Sequence, residues 1–274
     1  METLIQPKIL KGFRDFLPES EIQRSLLIEK LTKTFRSYGF VPIDTPVLEY
    51  SEILLRKSNG ETEKQVFRFE DNGKRDVAMR FDLTVPFARF VAEHKDELYF
   101  PFKRYHIAKV WRGEKPQAGR YREFYQCDFD MVGSDSASSD FEILSLMKSA
   151  LSEIGVDNIT IKVNHRGIFN AFLEKLGLSE KSEDVLRIVD KLAKIGEEQV
   201  TLQLNEITQD ENKSKEILTF IAGKDDFDST LELIGSMAGE KANPFVERMK
   251  DIRQMMKASG IDSTYVLDPS ITRG

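Results

Sequence analysis

The sequence predicts an α+β fold, in which a mixed block of helices and strands precedes a mainly helical block. Two strand patterns separated by a polar loop lie between about 103 and 131, and the second alternates strictly. Amphipathic helical patterns lie before and after this hairpin. From about 178 to 261 helical patterns dominate. We therefore expect one mixed domain with a smaller helical one beside it.

The first helical pattern follows a short N-terminal segment. Ser20 and Gln23 have the spacing of a capping box, in which each side chain bonds the other residue's backbone N–H. An apolar stripe that includes Leu27 and Phe35 then recurs on one helical face. Gly39 is expected to end this helix.

A second capping box follows the hairpin. Ser139 and Glu142 predict a helix start, and Gly155 predicts its end. Residues 158–163 alternate as a strand, and residues 169–176 are predicted to be helical. The helices of the second block are expected to break at Gly196, Gly223, Gly239 and Gly260.

The hairpin carries a cationic cluster in an acidic protein. Residues 103–122 contain seven Lys or Arg and one acid, Glu114, whereas the whole chain has a formal charge of −6. Arginine offers a planar fork of donors that matches phosphate oxygens two at a time, so this cluster favours a polyphosphate site. The alternative is a solvated hairpin whose arginines pair with nearby glutamates.

The second strand of the hairpin has two different faces. Tyr125, Cys127, Phe129 and Met131 form a nearly apolar face, which we expect on the core side, with Cys127 in a packing role. The other face carries Phe124, Gln126, Asp128 and Asp130. This order suits a flat base stacked on the phenylalanine and an ammonium or other donor beside the carboxylates.

A third pattern runs from Val77 to Thr84. Apolar residues alternate there with Arg80, Asp82 and Thr84, so one face presents a carboxylate beside a hydroxyl. Burial of a carboxylate costs free energy unless a cation pairs with it. A substrate ammonium is one possible cation, and an internal ion pair between Arg80 and Asp82 is the alternative.

Composition excludes several other classes. The single cysteine cannot form an internal disulfide, no apolar run reaches membrane-spanning length, and no secretory signal is evident, so we expect a cytoplasmic protein. The chain has no phosphate-loop or dinucleotide fingerprint and no Cys-x-x-Cys or paired-His metal motif. No metal ligand is therefore assigned to the protein, and no catalytic role is assigned to the three histidines: His94, His106 and His165.

The spacing within the hairpin resembles a known family. Arg112-x-Glu114, a loop, and Arg120-xxx-Phe124-xxx-Asp128 resemble motif 2 of the class II aminoacyl-tRNA synthetases. The surrounding Arg-Tyr-Arg-Glu-Phe-Tyr-Gln-Cys-Asp-Phe-Asp is similar to histidyl-tRNA synthetases, nearer to their eukaryotic form. The segment from Lys11-Gly-Phe-Arg-Asp to Glu49 resembles motif 1, which lies at the dimer interface of that family.

The resemblance implies a particular architecture. It is a class II synthetase-type antiparallel sheet flanked by helices, with a catalytic core at 1–177, an inserted helical domain at 178–262 and a return to the core at 263–274. The end of the chain resembles the start of a histidine-specific motif. Because motif 3 and the anticodon-binding domain are absent from the sequence, we expect a fragment or a truncated form, with a genuinely short paralogue as the alternative.

The resemblance also implies site residues. ATP, with Mg²⁺ bridging its phosphates, would be bound by Arg112, Glu114, Arg120 and Phe124. Histidine would be bound by Asp82, Thr84, Gln126 and Asp130. The catalytic residues would be Arg112, on the α-phosphate, and Arg273, which would stabilise the transition state of the displacement.

The implied function is that of a histidine–tRNA ligase, which activates histidine with ATP and transfers it to tRNA(His). The implied assembly is a homodimer through the motif 1 region, with the helical domain packed toward the acceptor stem of the tRNA. Residues 178–262 hold 12 basic and 18 acidic residues, so any RNA contact there must use a local basic edge. We expect this chain alone to have little or no adenylation activity. The alternative is a non-catalytic paralogue, such as the regulatory subunit of ATP phosphoribosyltransferase or a tRNA-binding domain of a larger kinase.

Overall fold

The computed structural model describes residues 4–56, 63 and 65–271. By its internal contacts the chain divides into two compact units, Met1–Asp135 with Ser149–Gly155 and Ser136–Lys148 with Val156–Gly274. The points at which the chain passes from one unit to the other, between 135 and 156, lie inside the expected catalytic core of 1–177. The boundary near 178, at which an inserted domain would begin, stays a prediction.

The first unit is a mixture of short helices and two small sheets. Its helices are α1 (Pro18–Ser37), α2 (Ser51–Leu55) and α3 (Thr84–Glu93). Its strands are β1 (Val41–Pro42), β2 (Leu48–Tyr50), β3 (Arg68–Glu70), β4 (Asp76–Met79), β5 (Phe102–Trp111) and β6 (Glu123–Val132). Helix α4 (Ala137–Glu153) contains residues of both units.

The second unit is mainly helical. Its further helices are α5 (Arg166–Lys175), α6 (Ser182–Val189), α7 (Leu192–Thr208), α8 (Glu211–Ala222), α9 (Phe227–Ala238) and α10 (Asn243–Ala258). Short 3₁₀ turns lie at Ser179–Lys181, Glu240–Ala242 and Asp262–Thr264. Two strands, β7 (Ile161–Val163) and β8 (Tyr265–Leu267), pair in parallel.

The predicted strand–loop–strand is confirmed as the β5–β6 hairpin. The two strands pair antiparallel over their whole length, from Phe102 opposite Val132 to Trp111 opposite Glu123. Strand β1 adds to the other edge of β5 in parallel, and β2, β4 and β3 form a separate antiparallel sheet. Residues directly opposite in the hairpin share a face, so its register decides which polar groups meet.

Helix α1 begins earlier than its capping signal predicted. It starts at Pro18 rather than Ser20, and Leu17 at the cap makes no side-chain hydrogen bond. Proline suits the first helical turn because its missing N–H would have no helical acceptor there. The prediction of a capping box at Ser20 is therefore wrong, whereas the predicted end is confirmed by a positive φ of 79° at Gly39.

The two helices after the hairpin are capped by residues that the sequence patterns did not single out. Helix α4 begins at Ala137, and the Ser136 hydroxyl accepts the N–H of Ser139 at 3.2 Å, so the cap predicted at Ser139 is wrong. Helix α5 is capped by His165, whose Nδ1 accepts the N–H of Gly167 at 3.1 Å. The scattered histidine at 165 thus has a structural role.

The core of the first unit lies beneath one end of the hairpin. The Phe129 ring packs 5.3 Å from Phe35 of α1 and 6.2 Å from Phe40, measured between ring centres. Tyr125, on the same strand face, is 40% exposed, and Cys127 is also exposed. The prediction that this whole face is buried is therefore wrong at these two residues, because the aromatic core lies only against the Phe129 end of the strand.

The second unit has a continuous apolar core. Phe172 and Phe220 stack with ring centres 4.5 Å apart, and Phe169 meets Phe220 at 5.3 Å. The predicted breaks are confirmed, since the helices end or kink at the glycines expected; Gly196, with φ 79°, interrupts α7. Among the described residues, no helix combines the length and the apolar character needed to cross a membrane.

Candidate functional site

A pocket of about 660 Å³ lies at the loop end of the β5–β6 hairpin. It is lined by Arg14, Arg112, Glu114, Gly119, Arg120, Tyr121 and Phe124. All four residues expected to bind ATP are among these, so the structure brings them together around one cavity. Phe124 is partly exposed, as a stacking platform requires.

Arg112 is held at the end of β5 by backbone acceptors. Its Nε donates to the carbonyl oxygen of Phe81 at 3.0 Å, and its backbone N–H donates to that of Arg122 at 2.8 Å. The guanidinium carbon lies 5.1 Å from the centre of the Phe124 ring. A cation and an aromatic face therefore stand next to each other in the pocket.

The loop contains one of the arginine–glutamate pairs that the alternative interpretation required. Arg120 Nη1 lies 3.6 Å from a carboxylate oxygen of Glu114, and the Arg120 side chain is largely exposed. An exposed pair of this kind is worth little, about 0–1 kcal/mol, so a phosphate could displace it. The Nε of Arg122 bonds the backbone oxygen of Glu114 rather than its carboxylate.

An N-terminal segment that sequence reasoning did not assign to the pocket forms part of its wall. The Gly12 carbonyl accepts the N–H of Arg122 at 2.8 Å. The Arg14 guanidinium lies 4.0 Å from the centre of the Tyr121 ring and 4.5 Å from that of Phe16. The sequence offered one signal for this position, an arginine with a phenylalanine on either side. It was missed because the cationic cluster was defined only over residues 103–122.

A buried ion pair crosses the hairpin further along the same face. Arg104 is 0% exposed and lies opposite Asp130 in the strand register, with Nη2 2.5 Å from its carboxylate. The guanidinium also lies 4.2 Å from the Phe87 ring centre and 3.4 Å from the Leu83 carbonyl oxygen. Sequence reasoning counted Arg104 only as one cation of the cluster and missed this position.

Gln126 lies between Phe124 and the carboxylates. Its Nε2 donates to an oxygen of Asp128 at 2.9 Å. Its Oε1 is buried, and no hydrogen-bond partner for it occurs in the described part of the chain. An unsatisfied buried acceptor costs about 1–3 kcal/mol, so this oxygen favours a ligand that donates.

The segment that was predicted to alternate as far as Thr84 changes conformation first. Strand β4 ends at Met79, and Thr84 is the exposed first residue of α3. Asp82 accepts the N–H of Val85 at 3.1 Å, in the manner of a helix cap. Arg80 is buried and donates to the carbonyl oxygen of Thr45 at 2.6 Å and to that of Lys109 at 3.0 Å.

The alternative ion pair between Arg80 and Asp82 is not formed. The carboxylate nearest to Arg80 among the described ion pairs is Asp44, at 3.7 Å. Asp44 also lies 3.0 Å from Nε2 of His106, whose pKa is lowered by burial and by Arg80. His106 lies opposite Asp128 in the hairpin, so it faces the same side of the sheet.

The electrostatics of this face favour an added positive charge. Burial raises the pKa of Asp82, Asp128 and Asp130, while Arg104 opposes the rise for each of them. Arg112 is a further cation near Asp82 and also opposes the rise of its pKa. Three carboxylates thus share one fully buried guanidinium, an arrangement that a ligand ammonium would complete.

Arg273 and a metal site are the remaining points of comparison. Arg273 lies outside the described residues, so its expected convergence with Arg112 stays a prediction. Within the described residues, no group of three or more His, Cys, Asp or Glu side chains is arranged to hold a metal ion.

Comparisons with known proteins point in one direction. The family model for histidyl-tRNA synthetase matches residues 12–274. A histidine–tRNA ligase of Treponema denticola is 66% identical over the whole chain. The crystal structure of histidyl-tRNA synthetase from Nostoc superposes with a TM-score of 0.88 at 29% identity, covering 99% of this chain and 63% of that one.

The fold also occurs in a protein titled ATP phosphoribosyltransferase regulatory subunit/histidyl-tRNA synthetase, from Bacillus halodurans. It superposes with a TM-score of 0.86, covering 98% of this chain and 69% of that one, but the 21% identity shows a shared fold only. The chain spans 62% of the length of its Treponema relative. Its family match and its high identity to that relative together show that the chain belongs to the histidyl-tRNA synthetase family.

Proposed function

We propose that this chain is the ATP- and histidine-binding part of a histidine–tRNA ligase, which makes histidyl-adenylate and transfers histidine to tRNA(His). The observation that carries the proposal is the common face of the hairpin. An arginine-rich pocket with an aromatic platform lies at one end of that face, and a carboxylate and amide group lies further along it. This arrangement suits a nucleotide in the pocket and an amino acid bound beside it.

ATP would occupy the pocket at the loop end. The adenine would stack on Phe124, Arg112 would bind the α-phosphate, and Glu114 would orient the adenine end or the arginines. Arg120 would give a further contact to phosphate or carboxylate. The pocket volume of about 660 Å³ is in the range of nucleotide-sized ligands, and the guanidinium beside the ring is suited to a phosphate attached to a stacked base.

Histidine would bind through acceptors beyond Phe124. Asp82, Thr84, Gln126 and Asp130 would hold its amino end. Support comes from the raised pKa of the two aspartates and from the unsatisfied oxygen of Gln126, since each is relieved by a donor or a positive charge. Thr84 contributes a hydroxyl at the exposed start of α3.

The chemistry would be an in-line displacement that needs no protein base. An oxygen of the histidine carboxylate, already ionised, forms a bond to the α-phosphorus of ATP. The bond from that phosphorus to the bridging oxygen breaks, and pyrophosphate leaves with the electron pair. Arg112 and Arg273 would stabilise the added charge on the phosphorus oxygens. A tRNA hydroxyl oxygen then forms a bond to the carbonyl carbon of the adenylate. The bond from that carbon to the phosphate oxygen breaks, AMP leaves with the electron pair, and the hydroxyl proton passes to the departing phosphate.

Magnesium would accompany the triphosphate. Of the pocket residues, Glu114 presents a carboxylate, and no described group of protein ligands could hold the ion alone. This donor set fits an ion held mainly by phosphate oxygens, as Mg²⁺ often is. When bound, Mg²⁺ would neutralise charge on the phosphates.

A homodimer through the motif 1 region is part of the proposal. Strands β2 and β3 and the residue before β2 expose large apolar side chains: Val47, Leu48, Tyr50 and Phe69. Such a patch marks an interaction surface more often than it occurs on a monomer. Sedimentation analysis should give twice the protomer mass for the wild type, and Leu48→Glu with Phe69→Glu should shift it to the monomer.

A non-catalytic paralogue is the second candidate. The likeness to the Bacillus halodurans structure shows that the same fold has been described under both names. Against this candidate stand Arg112, Glu114, Phe124 and Gln126, since a regulatory subunit has no need for a complete set of nucleotide and amino-acid contacts. The two candidates differ in whether histidine drives turnover of ATP.

Histidine-dependent exchange of pyrophosphate into ATP tests the proposal. The longer gene product, where the gene continues past codon 274, should catalyse exchange, and this chain alone should show little or none. Arg112→Gln should reduce exchange by at least about a hundredfold, as loss of one transition-state contact does. Arg187→Gln, in an exposed pair with Asp184, should leave it unchanged. Exchange without histidine, or an unaffected Arg112 variant, would contradict the proposal.

A further inference from the structure

The amide of Gln126 is held in one orientation by its neighbour two residues along β6. Gln126 and Asp128 point to the same face of the strand, and Gln126 Nε2 donates to the Asp128 carboxylate at 2.9 Å. An ionised carboxylate can only accept hydrogen bonds, so it selects the NH₂ end of the amide. The opposite end, Oε1, must then point away from Asp128.

Oε1 is also the end that has no partner. It is buried, and the described residues supply no donor to it. A glutamine whose amide could rotate freely would present NH₂ and oxygen in turn to a ligand. With Asp128 beside it, the amide presents an oxygen to a ligand, next to the carboxylates of Asp82 and Asp130.

We propose that Asp128 is a positioning residue that locks Gln126 with its carbonyl oxygen toward the amino group of the bound amino acid. The inference rests on the proposed function, because it concerns the same histidine site. Asp128 acts through Gln126 and is not itself a ligand contact. The result is that the amide offers an ammonium its oxygen rather than its NH₂ group.

The groups around Asp128 act on its ionisation in opposite directions, and on balance its pKa is raised. Burial raises the pKa of the Asp128 carboxyl, and the nearby carboxylates of Asp130 and Asp82 raise it further. The hydrogen bond from Gln126 and the charge of Arg104 lower it. Arg104, fully buried and opposite Asp130, is therefore what favours ionised carboxylates on this face.

An exchange of the two side-chain types tests the proposal. Asp128→Asn removes the acceptor-only neighbour, so the amide can turn its NH₂ toward the ligand. The double variant Gln126→Glu with Asp128→Asn reverses the pair: the new amide at position 128 donates and the new carboxylate at position 126 accepts, which again leaves an oxygen toward the ligand. The double variant has the same charge and nearly the same volume as the wild type.

Two quantities are measured on the longer gene product defined above: the KM for histidine in the pyrophosphate-exchange assay and the Kd for histidine by calorimetry. Asp128→Asn should weaken both by about ten- to a hundredfold, the worth of a hydrogen bond to a charged group. The KM for ATP should stay within about threefold, a change too small to signal a lost hydrogen bond. The double variant should recover most of the loss. Asp184→Asn, on an exposed surface, is the matched control.

Three results would overturn the inference. They are an unchanged KM for histidine in Asp128→Asn, a parallel loss for ATP and thermal stability, and a double variant as weak as the single one. A wild type that shows neither histidine-dependent exchange nor histidine binding would instead count against the proposed function. The orientation is then read from the side-chain amide protons of Gln126 by NMR, which must shift in Asp128→Asn if the lock exists.

Discussion

Replacement of Arg104 by methionine is the most demanding test of how this site is built. The side chain is 0% exposed, and its guanidinium lies 2.5 Å from Asp130 and 4.2 Å from the Phe87 ring centre. Methionine keeps much of the volume and the contact with the ring but removes the charge. Asp130 then loses its counter-ion beside the like-charged Asp128.

The size of the effect follows from the exposure of the partner left behind. Removal of one member of a fully buried pair costs about 3–5 kcal/mol. The Asp130 side chain is 35% exposed, so water can partly replace the guanidinium. We therefore expect a loss of about 2–3 kcal/mol in the free energy of unfolding of the first unit. Arg104→Met with Asp130→Leu should recover part of it, because the direct partner is then removed as well, while Asp82 and Asp128 still lack the guanidinium.

Urea unfolding followed by tryptophan fluorescence measures this loss. Trp111 is the one tryptophan of the chain and lies in β5, so its signal reports the first unit. Arg68→Met is the matched control, since its pair with Asp76 is about half exposed and solvent screening leaves such a pair little effect on stability. Far-ultraviolet circular dichroism follows the helices of both units, most of which belong to the second.

The pH dependence gives the sign of the effect independently. Burial already raises the pKa of Asp130, and loss of Arg104 should raise it more. A carboxyl whose pKa is higher in the folded state destabilises the fold as pH rises through that pKa. The deficit of Arg104→Met should therefore shrink between pH 7 and about 5. A deficit below about 1 kcal/mol at pH 7, or one that grows on acidification, would refute the argument.

Three further predictions concern stability. Gly12→Ala should destabilise the fold by about 2 kcal/mol or more in thermal unfolding, because φ is +89° and a Cβ would lie 2.8 Å from Arg122 Cγ. Gly39→Ala is the control: its φ is +79° but its surroundings are open, so it should show only the cost of the backbone conformation, about 1 kcal/mol. Because the pKa of His106 is lowered in the folded state, the unfolded chain takes up this proton at a higher pH than the folded one, and stability should fall as pH drops below about 6.5. His106→Gln should flatten that part of a plot of urea midpoint against pH, and an unchanged slope would contradict the prediction. Phe220→Ala should cost about 3–5 kcal/mol by circular dichroism, since its ring is fully buried in the aromatic core of the second unit, and a loss under about 1 kcal/mol would mean that the core has other support.

Patterns with a short period were the part of the fold that sequence reasoning predicted best. The β5–β6 hairpin follows directly from alternation, and the second unit's breaks follow from glycines that take positive φ. Helix starts were predicted less well. Ser20 and Ser139 both match a capping box, but Pro18 and Ser136 provide earlier starts, and the choice depends on where the chain enters the helix.

Contacts between distant parts of the chain could not be predicted in the same way. Arg14 reaches the pocket because the N-terminal segment lies along the hairpin loop. Arg104 is buried because Leu83 and Phe87 lie against it. Neither position has a local signal, since its environment is created by tertiary packing. The alternation up to Thr84 likewise gave no warning that the strand ends and α3 begins there.

The backbone of Arg122 has a practical consequence for protein engineering. Its N–H donates to the Gly12 carbonyl and its own carbonyl accepts the N–H of Arg112, so two backbone hydrogen bonds connect the N-terminal segment to the pocket at the hairpin loop. A shortened protein trimmed to the start of α1 would lose both the first of these bonds and Arg14. On the proposed function, such a variant should keep its sheet and helices yet bind ATP poorly. An affinity tag is therefore better attached before this segment than in place of it.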